Sequence, residues 1–170
     1  MILRPSSVSP GVTYRWAILL LVVGLLLGCS RTREEPFLLR EGKGWEGKFS
    51  LGDPAEEVTR LLGKVPKQQE DKNWRYFDYD FAEITIDIKS GEVASILLRA
   101  RWKTSSGISS GDPMEKILST YGQIPYRPPI LGYPQRGVSF IMTHAEITEA
   151  DGSKRPGWVA LWARIYPAER

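Results

Sequence analysis

The segment SLGDPAEEVTRLLGKVP (residues 50–66) occurs a second time, 59 positions later, as SSGDPMEKILSTYGQIP (residues 109–125). Seven of the 17 aligned positions are identical, and isoleucine replaces valine at two more. Two unrelated segments of this length share about one position when residue frequencies are typical. The similarity therefore predicts that the chain contains two related units.

Each copy has the pattern of a short amphipathic helix. An aspartate stands at the N-cap position, a proline at the first helical position, where the missing N–H is not needed, and a glutamate three residues after the cap. A glycine ends the helix, and a later proline prevents its continuation. These residues are Asp53, Pro54, Glu56, Gly63 and Pro66 in the first copy and Asp112, Pro113, Glu115, Gly122 and Pro125 in the second.

Strand patterns follow each helix. Alternating or continuous apolar residues mark strands within 76–88 and 93–102 in the first unit. The second unit has strand-like segments at 138–142, 145–148 and 158–166, with a hairpin loop over 151–156. The sequence thus predicts an α+β fold of two tandem units, residues 47–104 and 105–170, each a helix packed on an antiparallel meander. Joining the two half-sheets would also hide an edge of each.

The repeated pattern Gly-Asp-Pro-x-Glu-x-[Val/Ile], followed by Gly-x-[Val/Ile]-Pro and a sheet, resembles the repeat of the β-lactamase inhibitor protein family. It is also similar to the small lipoprotein of the outer-membrane β-barrel assembly machinery. The resemblance covers residues 45–170 as two copies, as in the inhibitor family. It implies helices packed on an antiparallel sheet, and a protein-binding role exercised through sheet and loop surfaces.

The first 28 residues predict an export signal. Arg4 and Arg15 precede an apolar run of 13 residues, 16–28. A helix needs about 20 apolar residues to span a membrane, so the run is too short for a span and typical of a secretory signal peptide.

The run ends in Leu26-Leu27-Gly28-Cys29-Ser30, which resembles the lipobox of bacterial lipoproteins. The resemblance implies cleavage between Gly28 and Cys29, a diacylglyceryl group on the Cys29 thiol, and acylation, for example with palmitate, of the new amine. Ser30 implies placement in the outer membrane, facing the periplasm. Residues 29–46 are charged and contain glycine, which predicts a flexible tether between the lipid and the folded part.

Composition argues against several other classes of function. Without Arg4 and Arg15 the chain keeps 21 basic against 20 acidic residues, so no concentrated positive charge indicates nucleic-acid binding. Cys29 is the only cysteine, which excludes an internal disulfide. Residues 42–47 match G-x-G-x-x-G, but no strand pattern precedes them, so no dinucleotide or other cofactor is predicted.

Candidate catalytic residues are few. His144 is the only histidine, with Ser139 and Asp151 near it in sequence, but no G-x-S-x-G motif or metal-binding cluster accompanies it. Asp78 and Asp80 are predicted on one face of a strand, as paired acids, as a cation site, or as two solvated charges. The sequence therefore predicts no catalytic or metal site.

Residues 126–134, Tyr-Arg-Pro-Pro-Ile-Leu-Gly-Tyr-Pro, have two interpretations. Three residue types in this stretch suit a rigid contact surface, because proline stiffens the chain and tyrosine and arginine are enriched in interface hot spots. Tyr126, Arg127 and Tyr133 are then the predicted partner contacts. The alternative is a rigid connector that packs Ile130 and Leu131 on the core.

These observations predict a lipid-anchored protein-binding or assembly module of the bacterial cell envelope, with an envelope protein as its partner. Two alternatives remain at this point. One is an envelope hydrolase that uses His144 or the pair Asp78 and Asp80. The other is a small-ligand binder with a deep apolar pocket between the two units.

The lipid anchor is tested by the substitution Cys29→Ser. Metabolic labelling with palmitate should tag the wild-type chain and place it in the membrane fraction, whereas the variant should remain unlabelled and uncleaved, because it lacks the thiol that receives the lipid. Ser30→Ala is the matched control and should behave as the wild type. Membrane attachment and labelling of the Cys29→Ser chain would contradict the lipoprotein interpretation.

Overall fold

Strands dominate the described part of this computed structural model, which covers residues 35–125 and 128–169. It contains eleven strands and two α-helices of eight residues each, together with a 3-10 helix, Pro134–Arg136. The helices are α1 (Ala55–Leu62) and α2 (Met114–Tyr121). The strands are β1 (Phe37–Arg40), β2 (Gly44–Trp45), β3 (Phe49–Ser50), β4 (Lys67–Glu70), β5 (Trp74–Tyr79), β6 (Ala82–Asp87), β7 (Val93–Leu98), β8 (Trp102–Thr104), β9 (Ile130–Tyr133), β10 (Val138–Thr148) and β11 (Lys154–Ile165).

The strands form two sheets. The large sheet has seven strands in the order β4-β5-β6-β7-β11-β10-β9, and every neighbouring pair in it is antiparallel. The small sheet has four strands in the order β3-β2-β1-β8, in which only β1 and β8 are parallel. No helix among the described residues is long and apolar enough to cross a membrane.

The predicted α+β fold of two tandem helix-plus-meander units is wrong. The described chain is mostly β-structure with only two short helices, and its two halves share one large sheet instead of standing in tandem. Part of the reason lies in strands too short to show a recognisable alternation, such as β2 and β3, which have two residues each. Such short strands form because neighbouring strands supply their hydrogen bonds. A local sequence pattern does not show which strands will be neighbours.

The tether predicted over residues 29–46 is also wrong from β1 onward. Leu39 is fully buried and Trp45 is 5% exposed, and β1 pairs with both β2 and β8. Phe37 and Trp45 pack edge to face, with ring centroids 4.7 Å apart. The charged residues between these apolar ones suggested a solvated linker, but β1 alternates its side chains between core and solvent.

The duplication is visible in the hydrogen bonds around both helices. The Gly52 N–H donates to Val93 O at 2.9 Å, and the Gly111 N–H donates to Ala160 O at 2.8 Å. Both glycines have φ near +87°, which favours glycine because it has no Cβ. Val93 and Ala160 are therefore equivalent positions, and so are residues 96–98 and 163–165.

The two halves meet where β7 pairs with β11. Leu97 lies opposite Arg164, Ile96 opposite Ile165, and Leu98 opposite Ala163. Since Leu97 and Arg164 are equivalent positions in the two halves, this register places a pseudo-twofold axis at their pair. The two half-sheets thus join edge to edge, and each protects an edge of the other.

The helix starts differ from the prediction in one detail. Pro54 and Pro113 occupy the N-cap positions, with extended backbone, and no side chain caps either helix. The aspartates stabilise the preceding turn instead. Asp53 Oδ2 accepts a hydrogen bond from the Ser50 N–H at 2.6 Å, and Asp112 Oδ2 accepts one from the Ser109 N–H at 2.7 Å.

One face of the large sheet forms the core together with the helices and the small sheet. Val58 of α1 and Ile117 of α2, which are equivalent positions, are both fully buried. Trp102 of β8 stacks on Phe140 of β10 with ring centroids 5.7 Å apart. The other large side chains buried on this face of the sheet are Phe77, Tyr79, Ile84, Ile86, Ile96, Leu98, Leu131, Tyr133, Val138, Met142 and Ile165.

The last hairpin is longer than its counterpart in the first half. β10 is one continuous strand through residues 143 and 144, and β11 begins at Lys154 within the predicted loop 151–156. A register shift after Ile141 marks a β-bulge, which leaves Leu161 without a partner in β10. Beyond the bulge, β10 and β11 continue to pair with each other as far as Thr148 and Lys154.

Candidate functional site

The predicted partner contacts are not gathered on a surface in the described residues. Tyr133 is only 5% exposed, and its hydroxyl donates to Gly122 O at 3.2 Å, so it is a core residue and not a partner contact. Alternation along β9 explains this, because Leu131 and Tyr133 share the buried face while Ile130 is 53% exposed. Tyr126 and Arg127 lie outside the described residues, as do Cys29 and the cleavage position after Gly28.

The catalytic candidates near His144 do not form a triad. His144 is exposed and packs edge to face on Trp158, with ring centroids 4.9 Å apart. Ser139 lies five residues away on the same extended strand, a separation of roughly 16 Å. Asp151 belongs to the hairpin loop, where its Oδ1 accepts from the Ser153 N–H at 2.9 Å. His144 is therefore too far from the Ser139 hydroxyl to act as its base.

The acids Asp78 and Asp80 are not a pair either. Asp78 lies on β5 and binds Arg99, whereas Asp80 follows the end of the strand and is exposed. Among residues 35–125 and 128–169, no three metal-binding side chains come together. Two surface depressions of about 450 Å³ and 330 Å³ lie beside β2 and beside the tip of the last hairpin, and neither is between the two halves of the large sheet.

The face of the large sheet opposite the helices carries the most notable set of functional groups. We call it the open face, because its side chains are mostly only partly buried while those of the other face form the core. Alternation and register place aromatic, aliphatic and charged residues on it. They are Trp74, Tyr76 and Asp78 of β5, Glu83, Thr85 and Asp87 of β6, Ser95 and Leu97 of β7, Trp162 and Arg164 of β11, Ser139 and Ile141 of β10, and Ile130 of β9.

An ion network occupies the middle of the open face. Arg99 Nη1 lies 2.5 Å from Asp78 Oδ1, and Arg99 Nη2 lies 3.0 Å from Glu83 Oε2. Its guanidinium also stands over the Trp162 ring, 5.9 Å from the centroid. Arg99 is thus fixed from three sides, and such cation–π and charge-assisted contacts orient the arginine within the sheet.

Arg164 belongs to the same network but is held less completely. Its Nη2 lies 3.5 Å from Glu83 Oε1, and its side chain is 42% exposed. Its Nε is enclosed by protein, and no acceptor is within hydrogen-bonding distance of it in the described chain. A buried donor without a partner costs about 1–3 kcal/mol. Because this Nε is enclosed, a partner can reach Arg164 only through its terminal nitrogens.

An apolar row lies beside Arg164. Cross-strand pairing sets Trp162 of β11 next to Ile141 of β10, and Ile141 next to Ile130 of β9. Strands are about 4.8 Å apart, so the row spans roughly 10 Å. Trp162 and Ile141 are partly buried and Ile130 is 53% exposed, which leaves apolar surface available to a partner.

A separate polar network joins the small sheet to α2. Glu41, in the turn after β1, accepts hydrogen bonds from the Ser105 hydroxyl, the Ser106 N–H at 3.0 Å and the Tyr121 hydroxyl at 2.5 Å. Burial by itself raises the pKa of Glu41, but these hydrogen bonds outweigh it and lower the pKa to about 2. Burial and the bond to Glu41 raise the pKa of Tyr121. Both groups therefore hold fixed protonation states near neutral pH, which suits a structural clamp and not an acid–base catalyst.

Comparison with protein-family models, curated proteins and solved structures found no match to this chain. The resemblance to the β-lactamase inhibitor family and to bacterial lipoproteins therefore stays an interpretation of the sequence. The geometry of the open face is then the main indication of function. Arg99 and Arg164 belong to different halves of the chain, and no local pattern in the sequence indicates that they lie together.

The clamp is tested by Glu41→Gln. The Glu41 pKa of about 2 lies below the ordinary value of 4.5, so ionised Glu41 stabilises the fold fully above about pH 5, and this contribution is lost as the pH falls toward 2. In full the shift is worth about 3 kcal/mol, and partial exposure reduces this to roughly 1–2 kcal/mol. Chemical denaturation should show the variant less stable by that amount at pH 7, with a difference that shrinks below pH 4.

Glu56→Gln on the exposed side of α1 is the matched control and should show no comparable difference between pH 7 and pH 3. Tyr121→Phe should destabilise in the same direction as Glu41→Gln, because it removes one donor of the clamp. A Glu41→Gln variant as stable as the wild type at pH 7 would contradict the assigned role.

Proposed function

We propose that the chain is a lipid-anchored protein-binding module of the bacterial cell envelope, and that it binds its partner protein with the open face of the large sheet. The anchor is the lipid predicted on Cys29, in the outer membrane and facing the periplasm. The single observation that carries the binding role is a seven-stranded sheet with one face in the core and the other, among the described residues, mostly only partly buried across both halves.

The residue types on the open face support a protein partner. Tryptophan, tyrosine and arginine are enriched in interface hot spots, and this face presents Tyr76, Trp162 and Arg164 without burying them fully. Charged residues in the middle and apolar residues beside them form the mixed surface that is typical of non-obligate interfaces. A sheet surface of this kind also agrees with the binding mode implied by the sequence resemblance.

The geometry favours a binding module over the two alternatives. The hydrolase required His144 with a neighbouring nucleophile, or Asp78 paired with Asp80, and the described structure assembles neither set. The small-ligand binder required a deep pocket between the halves, where the strands β7 and β11 pair directly instead.

The proposal is tested by a photo-crosslinking amino acid in the full chain, expressed in cells of its native host. Placed at Ile130 on the open face, the crosslinker should form an adduct with one recurring partner, which mass spectrometry then identifies. Placed at Ser119, an exposed position on α2, it should not form that adduct. Ile130 and Ser119 lie on different surfaces of the protein but belong to the same half of the chain.

Equal adducts at Ile130 and Ser119 would contradict a face-specific interaction. No adduct at Ile130 with a chain that is membrane-bound and folded would contradict the proposed function. Palmitate labelling of the same samples shows whether the lipid anchor is present.

A further inference from the structure

Arg164 and Arg99 differ in how fully their guanidinium groups are used. Arg99 binds a separate carboxylate through each of its two terminal nitrogens, at 2.5 and 3.0 Å. Arg164 shares Glu83 with it, at 3.5 Å, and its enclosed Nε has no acceptor in the described chain. The less satisfied arginine is also the more exposed one, with 42% of its side chain accessible against 25% for Arg99.

We propose that Arg164 receives a carboxylate of the partner protein, and that the apolar row of Trp162, Ile141 and Ile130 receives an apolar side chain next to it. The inference rests on the proposed function and names the chemistry of the partner: an aspartate or glutamate close to a large apolar residue. Planar guanidinium groups bind carboxylates with two parallel hydrogen bonds, which lysine does not reproduce.

The charged groups around Arg164 form a cluster of ion pairs. Asp78 and Glu83 together balance the charge of Arg99 and part of that of Arg164, and Lys67 Nζ lies 3.9 Å from Asp78 as a third cation. This cluster of ion pairs thus contains three cations and two acids. Asp71, which accepts a hydrogen bond from the Tyr76 hydroxyl at 2.8 Å, is a further acid beside it. Asp87, at the far end of β6, has its Oδ1 engaged by the Lys89 N–H at 2.7 Å.

The spacing of the two subsites fits a peptide segment. Arg164 and Trp162 are two residues apart on β11, which corresponds to roughly 7 Å along the strand. In an extended partner segment, side chains i and i+2 point to the same side and have the same spacing. An acidic residue at i and an apolar residue at i+2 therefore reach Arg164 and the apolar row together.

The test combines the Ile130 crosslinker with substitutions at Arg164 in the full chain. Arg164→Gln should lower the yield of the partner adduct about tenfold or more, since removing one member of a charged hydrogen-bonded pair costs that much affinity or more. Arg164→Lys keeps the charge and loses the planar fork, so an intermediate yield is expected. Arg60→Gln is the matched control, because Arg60 is an exposed arginine on α1 whose ion pair in the described residues is with Glu57, and it should leave the yield unchanged.

The adduct itself gives a second measurement that does not depend on the stability of the variants. The crosslinked partner peptide, sequenced by mass spectrometry, should contain an acidic residue near an apolar one. An adduct that persists undiminished in Arg164→Gln, or a crosslinked segment without an acidic residue, would overturn the role of Arg164 while the proposed function stands. Loss of the adduct in Arg60→Gln as well would overturn the inference by showing that the effect is not specific to Arg164.

Discussion

The pairing of β7 with β11 determines how the two halves of the chain are arranged. It joins the two halves at Leu97 and Arg164, so that two short meanders become one seven-stranded sheet. An isolated meander of three strands with one short helix has little core, whereas the joined sheet buries one face under both helices and the small sheet. In the described structure the same joining also extends the open face, which is mostly only partly buried, across both halves. Arg99 of the first half and Trp162 of the second meet only there.

The N-terminal strands complete this arrangement. β1 pairs in parallel with β8, and Glu41 beyond it accepts hydrogen bonds from Ser105, Ser106 and Tyr121. The segment predicted as the tether thus begins the folded domain. Only residues 29–36 then separate the predicted lipid site from β1 along the sequence.

The sequence predicts some of these features well and others not at all. The repeat located both helices and their glycine ends, because proline and glycine leave local signals that do not depend on the partner strand. The overall fold class was wrong, because the strands of the small sheet are too short for periodicity to identify them. The tyrosine and proline residues of segment 126–134 predict a contact surface that includes Tyr133. Its actual place on the buried side of β9 follows from the pairing with β10. The Arg99 and Arg164 network involves residues 65 positions apart, and no local pattern predicts it.

The proposed function requires that a partner covers the open face, which both halves build, in the cell. It is tested most directly by thiol accessibility in intact envelopes and in purified full-length protein, with single cysteines at Thr85, Ile130 and Ser119 in separate chains. A maleimide should label Ser119→Cys in both samples but label Thr85→Cys and Ile130→Cys only after purification. Equal labelling of Thr85→Cys and Ile130→Cys in envelopes and in purified protein would contradict it, because the open face would then be free where the protein works.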